Sequence, residues 1–347
     1  MFSLDTLLRA NIKALTPYSS ARDEFKGVAE VYLDANENPF SEPFNRYPDP
    51  YQLKLKAVIG DIKQIAPSHI FLGNGSDEPI DLLFRALCEP SVDNVVSIDP
   101  TYGMYQVSAE INNVAIKKVA LTPDFQIDVD AVLKAVDDKT KMIWLCSPNN
   151  PTGNCLKRED ILKLINSFAG VVVVDEAYID FAPDQTFLNQ LDQYPNLVIL
   201  QTFSKAWGMA GLRLGMAFAS TEIIEILTRI KYPYNLSMLT QQTVLDLLIK
   251  NRTEKDKWVK TILEEREVLI AELGKIKQII KIYPTDSNFV LVKIDKAREI
   301  YNFLCDNKII VRDRSKVRLC DNTLRITIGT PKENKRLLEA LMLYFKG

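Results

Sequence analysis

The sequence is poor in the side chains that most often carry catalysis or bind metal ions. Its 347 residues include a single histidine, His69, and five cysteines that form no CxxC pair. A Ser-His-Asp triad or a histidine-rich metal site would depend on His69, which lies in the segment PSHIF, where the pattern indicates a helix-to-strand connection. We therefore expect no metal site, and we expect proton transfer in an enzyme of this sequence to involve lysine, tyrosine or carboxylate side chains.

Charge bias and long apolar stretches are also missing. The formal net charge is −2 and the basic residues are scattered, so the charge pattern favours neither nucleic acid nor an anionic membrane as a partner. The N-terminal segment MFSLDTLLRANIKAL is amphipathic and carries Asp5 early, unlike a secretory signal, and no segment reaches transmembrane length. An odd number of widely spaced cysteines is typical of reduced thiols. We therefore expect a cytoplasmic protein.

Two successive patterns along the chain indicate two domains. Over about residues 50–220, helix-like segments alternate with apolar runs, as expected for strands covered on both faces of a parallel sheet. These runs are HIFLG, NVVSI, AIKKVAL, KMIWLC, GVVVVD, LVILQTF and LGMAFA. After the turn-like KYPYN, a long helical region, about 238–274, precedes mixed strands and helices. We predict an α/β fold with a large domain, 36–235, around a mostly parallel open sheet, and a smaller α+β domain from 1–35 and 236–347.

Polar motifs follow the carboxyl ends of the predicted strands, where open α/β sheets bind their ligands. GNGSDE follows HIFL, SPNNPTG follows KMIWLC, DEAY follows GVVVV, and TFSK with GLRLG follows LVILQ. Taken singly, NGSDE could be a turn with a helix cap, NNPTG a surface turn, and Lys205 a solvated charge. Asp175, which follows four valines, needs a cationic partner if it is buried. Because all these motifs occur at strand ends, together they predict one shared site.

The motifs resemble those of the fold-type-I aminotransferases, which use pyridoxal phosphate, and the resemblance extends over essentially the whole chain. The segment TFSKAWGMAGLRLG is similar to the cofactor-lysine segment of that family, with Arg213 eight residues beyond Lys205. SPNNPTG and DEAY match two further signatures. The resemblance implies that Lys205 holds the cofactor as a Schiff base until an incoming amine displaces it. The freed lysine, with a lowered pKa, then carries the proton between substrate and cofactor.

The same resemblance implies roles around the cofactor ring. Asp175 is expected beside the ring nitrogen, because a carboxylate there keeps that nitrogen protonated. Asn150 and Tyr178 are expected to donate hydrogen bonds to the ring oxygen, and Tyr102 to stack on the ring face.

A further set of residues is expected at the cofactor phosphate. Such a group needs the N–H groups of a helix N-terminus, hydroxyls and a cation. The candidates are Gly75, Ser76, Asp77, Thr202, Ser204 and Arg213. The carboxylate of Asp77 has the wrong charge for a phosphate ligand, so we expect a backbone or helix-capping role for this residue. Pro79 departs from the expected pattern, because it lacks an N–H, but proline is tolerated in a first helical turn.

Five other residues resemble those of the histidinol-phosphate aminotransferases within this fold. Arg325 in LRITIGT matches the arginine that binds the substrate carboxylate, and Arg312 in IIVRDR lies thirteen residues earlier. The segments PYSSAR, LDANENP and NRYPDP contribute Tyr18, Asn36 and Tyr47. The resemblance implies amino transfer between histidinol phosphate and 2-oxoglutarate, giving imidazole acetol phosphate and glutamate, in histidine biosynthesis. It also implies a homodimer with shared active sites, in which Tyr47 reaches the cofactor phosphate of the neighbouring subunit.

Other functions stay open at the level of the sequence. A threonine-phosphate decarboxylase or an aromatic amino-acid aminotransferase of the same fold would share nearly all of these residues, and Arg312 could be a surface residue. A pyridoxal-phosphate-binding regulator usually carries an added DNA-binding domain, for which this chain has no spare residues. A dinucleotide site is disfavoured, because GNGSDE lacks the GxGxxG spacing and the acidic residue expected about twenty positions further on.

Overall fold

A seven-stranded sheet forms the centre of the larger part of the molecule. The computed structural model describes residues 2–19, 25 and 29–346. The strands of this sheet are β1 (Ile70–Asn74), β2 (Asn94–Asp99), β3 (Ala115–Ala120), β4 (Thr140–Cys146), β5 (Val171–Asp175), β6 (Leu197–Thr202) and β7 (Leu214–Phe218). They lie in the order β1-β7-β6-β5-β4-β2-β3. Strand β7 is antiparallel to β1 and β6, and the other pairs are parallel. The predicted, mostly parallel open sheet is confirmed, since each of the seven apolar runs forms one strand.

Helices cover both faces of this sheet, which explains why its central strands are apolar throughout. In β5, Val172 and Val174 join one core, whereas Val171 and Val173 join the core on the opposite face. The first face is covered by α3 (Leu53–Lys63), α6 (Val129–Ala135) and α7 (Arg158–Ser167), and the second by α4 (Asp77–Leu87), α5 (Met104–Ile111) and α8 (Thr221–Ile230). Because β1, β4, β5 and β6 run in the same direction, their carboxyl ends meet at one edge of the sheet.

A second, antiparallel sheet lies in the C-terminal part of the chain. It consists of β8 (Ile279–Ile282), β9 (Phe289–Ile294), β10 (Arg312–Asp313) and β11 (Thr323–Thr327), in the order β10-β11-β9-β8. Helices α10 (Arg252–Leu273), α11 (Ala297–Asp306) and α12 (Pro331–Lys346) contribute apolar side chains to its core. The run KIIVRD forms only the two-residue strand β10, so most of that apolar segment is irregular.

The long helical region that the sequence predicts consists of two helices. α9 (Met238–Lys250) ends at Asn251, and α10 follows at once. Ser237 caps α9, since its hydroxyl accepts a hydrogen bond from the Thr240 N–H at 3.1 Å. Val244 and Leu248 of α9 pack in the core that also contains Leu55 of α3. The first of the two helices therefore belongs by its contacts to the large sheet.

The N-terminal helices α1 (Leu4–Leu7) and α2 (Ala10–Lys13) also lie against the large sheet. Ile12 is buried in the core that contains Phe71 of β1, and the Arg9 N–H donates to the carbonyl of Ala86 at 3.1 Å. The division into 36–235 and 1–35 with 236–347 stays a prediction, and these contacts favour assigning α1, α2 and α9 to the large domain. Among the described residues, no helix combines the length and apolar composition needed to cross a bilayer.

The single histidine has a structural place in this fold. His69 ends a short 3₁₀ turn that leads into β1, and its Nδ1 lies 2.7 Å from the carbonyl oxygen of Ala219. This position agrees with the predicted helix-to-strand connection. It lies at the start of β1 and not at its carboxyl end, which is where the polar motifs are.

Candidate active site

A cavity of about 160 Å³ lies at the carboxyl ends of β1, β4, β5 and β6. Its wall contains every residue expected at the cofactor except Tyr47: Gly75, Ser76, Asp77, Tyr102, Asn150, Asp175, Tyr178, Thr202, Ser204, Lys205 and Arg213. Cys146, Ala177 and Ala210 complete it. The structure thus brings together residues that are up to 138 positions apart in sequence, from Gly75 to Arg213.

One end of the cavity is a cradle of hydrogen-bond donors. Gly75 has φ +68°, and a Cβ added there would lie 2.7 Å from the Arg213 guanidinium. A Cβ on Gly215 would lie 2.2 Å from the Ser76 nitrogen, so both glycines are required for this close approach. Helix α4 begins at Asp77, and the N–H groups of a first turn have no partner within their own helix. The cradle therefore fits a phosphate monoester.

Hydroxyl groups and a cation complete this cradle. The Thr202 hydroxyl donates to the Ser204 oxygen at 3.0 Å. Arg213 has a left-handed backbone, φ 53°, which is uncommon for a residue other than glycine. Its carbonyl accepts a hydrogen bond from the Gly75 N–H at 2.7 Å. This bond joins the end of β1 to the start of β7 and so fixes where the Arg213 side chain begins.

The carboxylate of Asp77 contacts two other residues of the cavity. It lies 3.5 Å from the Arg213 guanidinium and accepts a hydrogen bond from the Tyr102 hydroxyl at 3.2 Å. The sequence indicated only a backbone or helix-capping role for Asp77. These contacts show that its side chain orients a cation and an aromatic ring at the edge of the cradle.

Asp175 ends β5, lines the same cavity and is 2% exposed. One carboxylate oxygen accepts from the Tyr105 hydroxyl at 2.6 Å and the other from the Ala177 N–H at 3.0 Å. Burial raises the pKa of Asp175 to about 6, and the two hydrogen bonds and the Lys205 charge limit this increase. The carboxyl group is therefore mostly ionised at neutral pH and can accept a hydrogen bond from a protonated, positively charged group.

Tyr105 is a residue of this site that the sequence analysis did not identify. It is fully buried, and its ring stacks on Trp144 with a centroid distance of 4.9 Å. Tyr102 packs edge-on against it at 5.6 Å. The segment PTYGMY offered a signal, because a second tyrosine, Tyr105, follows Tyr102 by only three positions at the same strand end.

Lys205 follows β6 and lines the cavity. Its ammonium nitrogen lies 5.5 Å from the centre of the Tyr178 ring. Partial desolvation and then the Arg325 charge lower the pKa of Lys205, whereas Asp175 opposes this shift. A lysine in this environment is closer to a neutral amine, the form that can act as a nucleophile or a base.

Arg325, on β11 of the small sheet, contacts a residue of the cavity wall. Its guanidinium donates a hydrogen bond to the side-chain oxygen of Asn150. Because a guanidinium can only donate, this contact leaves the Asn150 NH₂ group free to donate elsewhere. The Tyr178 ring packs edge-on against Phe289 of β9 at 5.1 Å, and burial raises the pKa of the Tyr178 hydroxyl, which therefore stays protonated.

Two other predicted residues, Arg312 for the substrate and Tyr47 for the cofactor phosphate, lie outside this cavity. Arg312 is opposite Arg325 in the β10–β11 pair, and its side chain is exposed. Tyr47 stacks on Tyr234 of its own chain at 4.4 Å.

Two N-terminal candidates are also separate from it. Tyr18 lines a cleft with Pro50 and Tyr234, and Asn36 is exposed with φ 54°. The motif PYSSAR extends over residues 20–22, which lie outside the described residues. The roles of Tyr18, Asn36, Tyr47 and Arg312 stay predictions.

Comparisons with known proteins agree with this arrangement. The family described as aminotransferase class I and II matches residues 21–341. The chain is 57% identical over 345 residues to the histidinol-phosphate aminotransferase of Bacteroides thetaiotaomicron, with 99% of each chain covered. Its structure is similar to that of the histidinol-phosphate aminotransferase from Clostridium acetobutylicum, with a TM-score of 0.80, 25% identity, and coverage of 87% of this chain and 91% of that one. It is also similar to the histidinol-phosphate aminotransferase from Sinorhizobium meliloti in complex with pyridoxal 5′-phosphate, with a TM-score of 0.79, 23% identity, and coverage of 90% and 89%. The chain belongs to the class I and II aminotransferase family.

Proposed function

We propose that this aminotransferase moves an amino group between L-histidinol phosphate and 2-oxoglutarate, giving imidazole acetol phosphate and glutamate, in histidine biosynthesis. The observation that carries the proposal is one cavity in which a lysine, a buried carboxylate and a phosphate cradle meet the arginine-bearing strand β11. The relative from Bacteroides thetaiotaomicron that covers 99% of this chain bears the name of this activity.

The residues of the cavity fit pyridoxal 5′-phosphate. Gly75, the first turn of α4, Thr202, Ser204 and Arg213 would hold the phosphate. Asp175, a buried carboxylate in the wall of the same cavity, would hold the protonated ring nitrogen. When bound, this cofactor withdraws electrons from the substrate carbon that loses its proton.

The ring oxygen and the ring face have their own candidate partners. Asn150 would donate through its NH₂ group, since its carbonyl oxygen is occupied by Arg325. Tyr178 would donate through its protonated hydroxyl. Tyr102 would stack on the ring, in an orientation held by the hydrogen bond from its hydroxyl to Asp77.

Lys205 would anchor the cofactor covalently and then carry the proton. The lowered pKa of Lys205 increases the fraction of neutral amine. The neutral amine would accept a proton from the substrate carbon and donate it to the C4′ carbon of the cofactor. Lys205 can do both without histidine, and the one histidine of the chain lies at the entry to β1.

The residues proposed to bind the substrate are suited to anionic groups. Arg325 is half-buried at the cavity, and Arg312 lies beside it on the neighbouring strand. Two guanidiniums suit both a phosphate dianion and the carboxylates of glutamate, which an apolar pocket could not accept. Tyr18 and Asn36 are further candidates for substrate contacts.

We infer a cytoplasmic homodimer with shared sites. The segment before α3 carries apolar side chains that solvent would contact in a single chain: Leu33 is 91% exposed and Phe40 is 90% exposed. A surface of this kind is typical of an interface, and a second copy of the chain would cover it. Tyr47 in the same segment would then reach the cofactor phosphate of the neighbouring subunit. The five cysteines are free thiols, as expected in the cytoplasm.

The substrate assignment can be tested directly with purified holoenzyme. Histidinol phosphate, phenylalanine and threonine phosphate are each offered with 2-oxoglutarate, and glutamate and carbon dioxide are measured. We expect glutamate to form fastest with histidinol phosphate. Preferred turnover of phenylalanine would identify an aromatic amino-acid aminotransferase, and release of carbon dioxide from threonine phosphate would identify a decarboxylase.

A further inference from the structure

Arg314 lies on the same face of the small sheet as the two arginines proposed to bind the substrate. In the β10–β11 pair, Arg312 is opposite Arg325. The pairing continues beyond β10, since the Arg314 N–H donates to the carbonyl of Thr323 at 2.9 Å. Side chains two positions apart on an extended strand point to the same face. Three guanidiniums therefore share the face through which Arg325 contacts the cavity.

The Arg314 side chain carries a buried donor without a partner. Its Nε is shielded from solvent and makes no hydrogen bond to any residue that the structure describes. The adjacent carboxylate, Asp313, points to the other face and pairs with Arg298 at 3.1 Å. Burial, followed by the Arg325 and Arg312 charges, lowers the pKa of Arg314 to about 10, so it is still cationic at neutral pH. No ion pair of the described residues involves this half-buried cation, so an anionic ligand would stabilise it.

Arg314 also lines a cleft that opens beside the cavity. The cleft has a volume of about 400 Å³ and shares Tyr102 and Asn150 with the cavity. Its other charged wall residues are Lys118, Lys316, Arg318 and Asp99. Asp99 lies 3.9 Å from Arg318, so the net charge of the wall is positive. A cleft of this charge favours a dianion over a neutral group.

We propose that Arg314 binds the phosphate group of the substrate beside Arg312 and thereby determines the preference for a phosphorylated amine. The inference rests on the proposed function. The two terminal nitrogens of a guanidinium that lines the cleft can donate two parallel hydrogen bonds to one phosphate, a geometry that a lysine or an amide cannot reproduce. A dianion also gains more than a carboxylate from a third positive charge.

The test uses holoenzyme carrying Arg314→Gln, with Arg336→Gln as the matched control. Arg336 is an exposed arginine on α12 of the same small domain, so both variants lose one positive charge. In Arg314→Gln, we expect the KM for histidinol phosphate to rise about tenfold to a hundredfold, the range for a hydrogen bond between charged groups. We expect kcat and the KM for glutamate to change by less than about threefold. Cofactor absorption and the Tm should be unchanged, since the side-chain Nε has no partner to lose.

A binding measurement separates this inference from the substrate assignment. Inorganic phosphate is titrated calorimetrically into holoenzyme, in which the cofactor already fills its own phosphate cradle. We expect Arg314→Gln to bind phosphate at least about tenfold more weakly than the wild type and Arg336→Gln to bind it equally. Equal affinity in Arg314→Gln, no binding by the wild type, or an equal rise in KM for glutamate and histidinol phosphate would overturn the role of Arg314. If the wild type rejects histidinol phosphate, the proposed function fails, and the phosphate titration still decides whether Arg314 binds phosphate.

Discussion

Replacing Tyr105 by phenylalanine removes one hydroxyl from the buried surroundings of Asp175. The hydroxyl donates to the carboxylate at 2.6 Å, and the ring packs on Trp144. Phenylalanine keeps that ring packing, so the substitution deletes the hydrogen bond and little else. Asp175 then retains only the bond from the Ala177 N–H.

The size of the effect follows from the strength of this bond. A hydrogen bond to a charged group contributes about 1.5–3 kcal/mol, and one pKa unit corresponds to about 1.36 kcal/mol. The pKa of Asp175, about 6 with Tyr105 present, should therefore rise by about one to two units in the variant. In protein without cofactor at pH 7, the ionised fraction should fall from roughly nine-tenths to between one-tenth and one-half.

The pH dependence of kcat/KM measures this shift in the holoenzyme. In the proposed function, ionised Asp175 holds the cofactor ring nitrogen in its protonated form, so the acid limb of the profile should move to higher pH by up to about one to two units. Tyr102→Phe is the matched control, because its hydroxyl contacts Asp77 instead. We expect no movement of that limb in Tyr102→Phe.

The free energy of unfolding of the protein without cofactor gives a second test, because the direction of its change with pH can be predicted. The folded pKa of Asp175 lies above its ordinary value of 3.8, so this group lowers the free energy of unfolding as pH rises through the window from 3.8 to about 6. In Tyr105→Phe the window extends upward, so the loss of stability relative to wild type should be larger at pH 8 than at pH 5. An unchanged acid limb together with a pH-independent stability loss would refute the role assigned to Tyr105.

Four further results are expected: two at the cofactor, one at the subunit interface and one at the substrate arginines. Borohydride reduction followed by peptide mapping should place a pyridoxyl group on Lys205, and a label on another lysine would contradict the proposed anchor. Asp175→Asn should still bind cofactor but lose transamination by several orders of magnitude, whereas near-normal turnover would exclude Asp175 as the partner of the ring nitrogen. Mixed dimers of Lys205→Ala and Tyr47→Phe should recover one good site out of two, and activity equal to that of the Tyr47→Phe homodimer at every ratio would show that Tyr47 serves its own subunit. Arg312→Ala should lower kcat/KM for histidinol phosphate by at least about tenfold with unchanged cofactor absorption, and normal turnover would leave the substrate unassigned.

The strand-end motifs were predictable because backbone topology alone brings them together. A parallel sheet aligns the carboxyl ends of its strands whatever the side-chain packing, so locating β1, β4, β5 and β6 was enough to group Ser76, Asn150, Asp175 and Lys205. The apolar runs identified these strands, since strands buried on both faces show no polar alternation.

Contacts that depend on side-chain geometry could not be predicted in the same way. The hydrogen bond from Tyr105 to Asp175 depends on how α5 packs over Trp144, and the contacts of Asp77 depend on the left-handed turn at Arg213. The break at Asn251 carries no glycine or proline, so neither of the usual helix breakers marks the boundary between α9 and α10.

The cofactor cradle and the β10–β11 face differ in whether their arginines have carboxylate partners. In the cofactor cradle, the Arg213 guanidinium already has a carboxylate partner in Asp77. On the β10–β11 face, no carboxylate of the described chain lies within ion-pair distance of Arg312, Arg314 or Arg325, and in the proposed function the substrate supplies the negative charge there. Substitutions on this face can therefore change which anion is accepted without altering the residues around Lys205. By this reasoning, the reaction type depends on the large sheet and the choice of substrate depends on the small one.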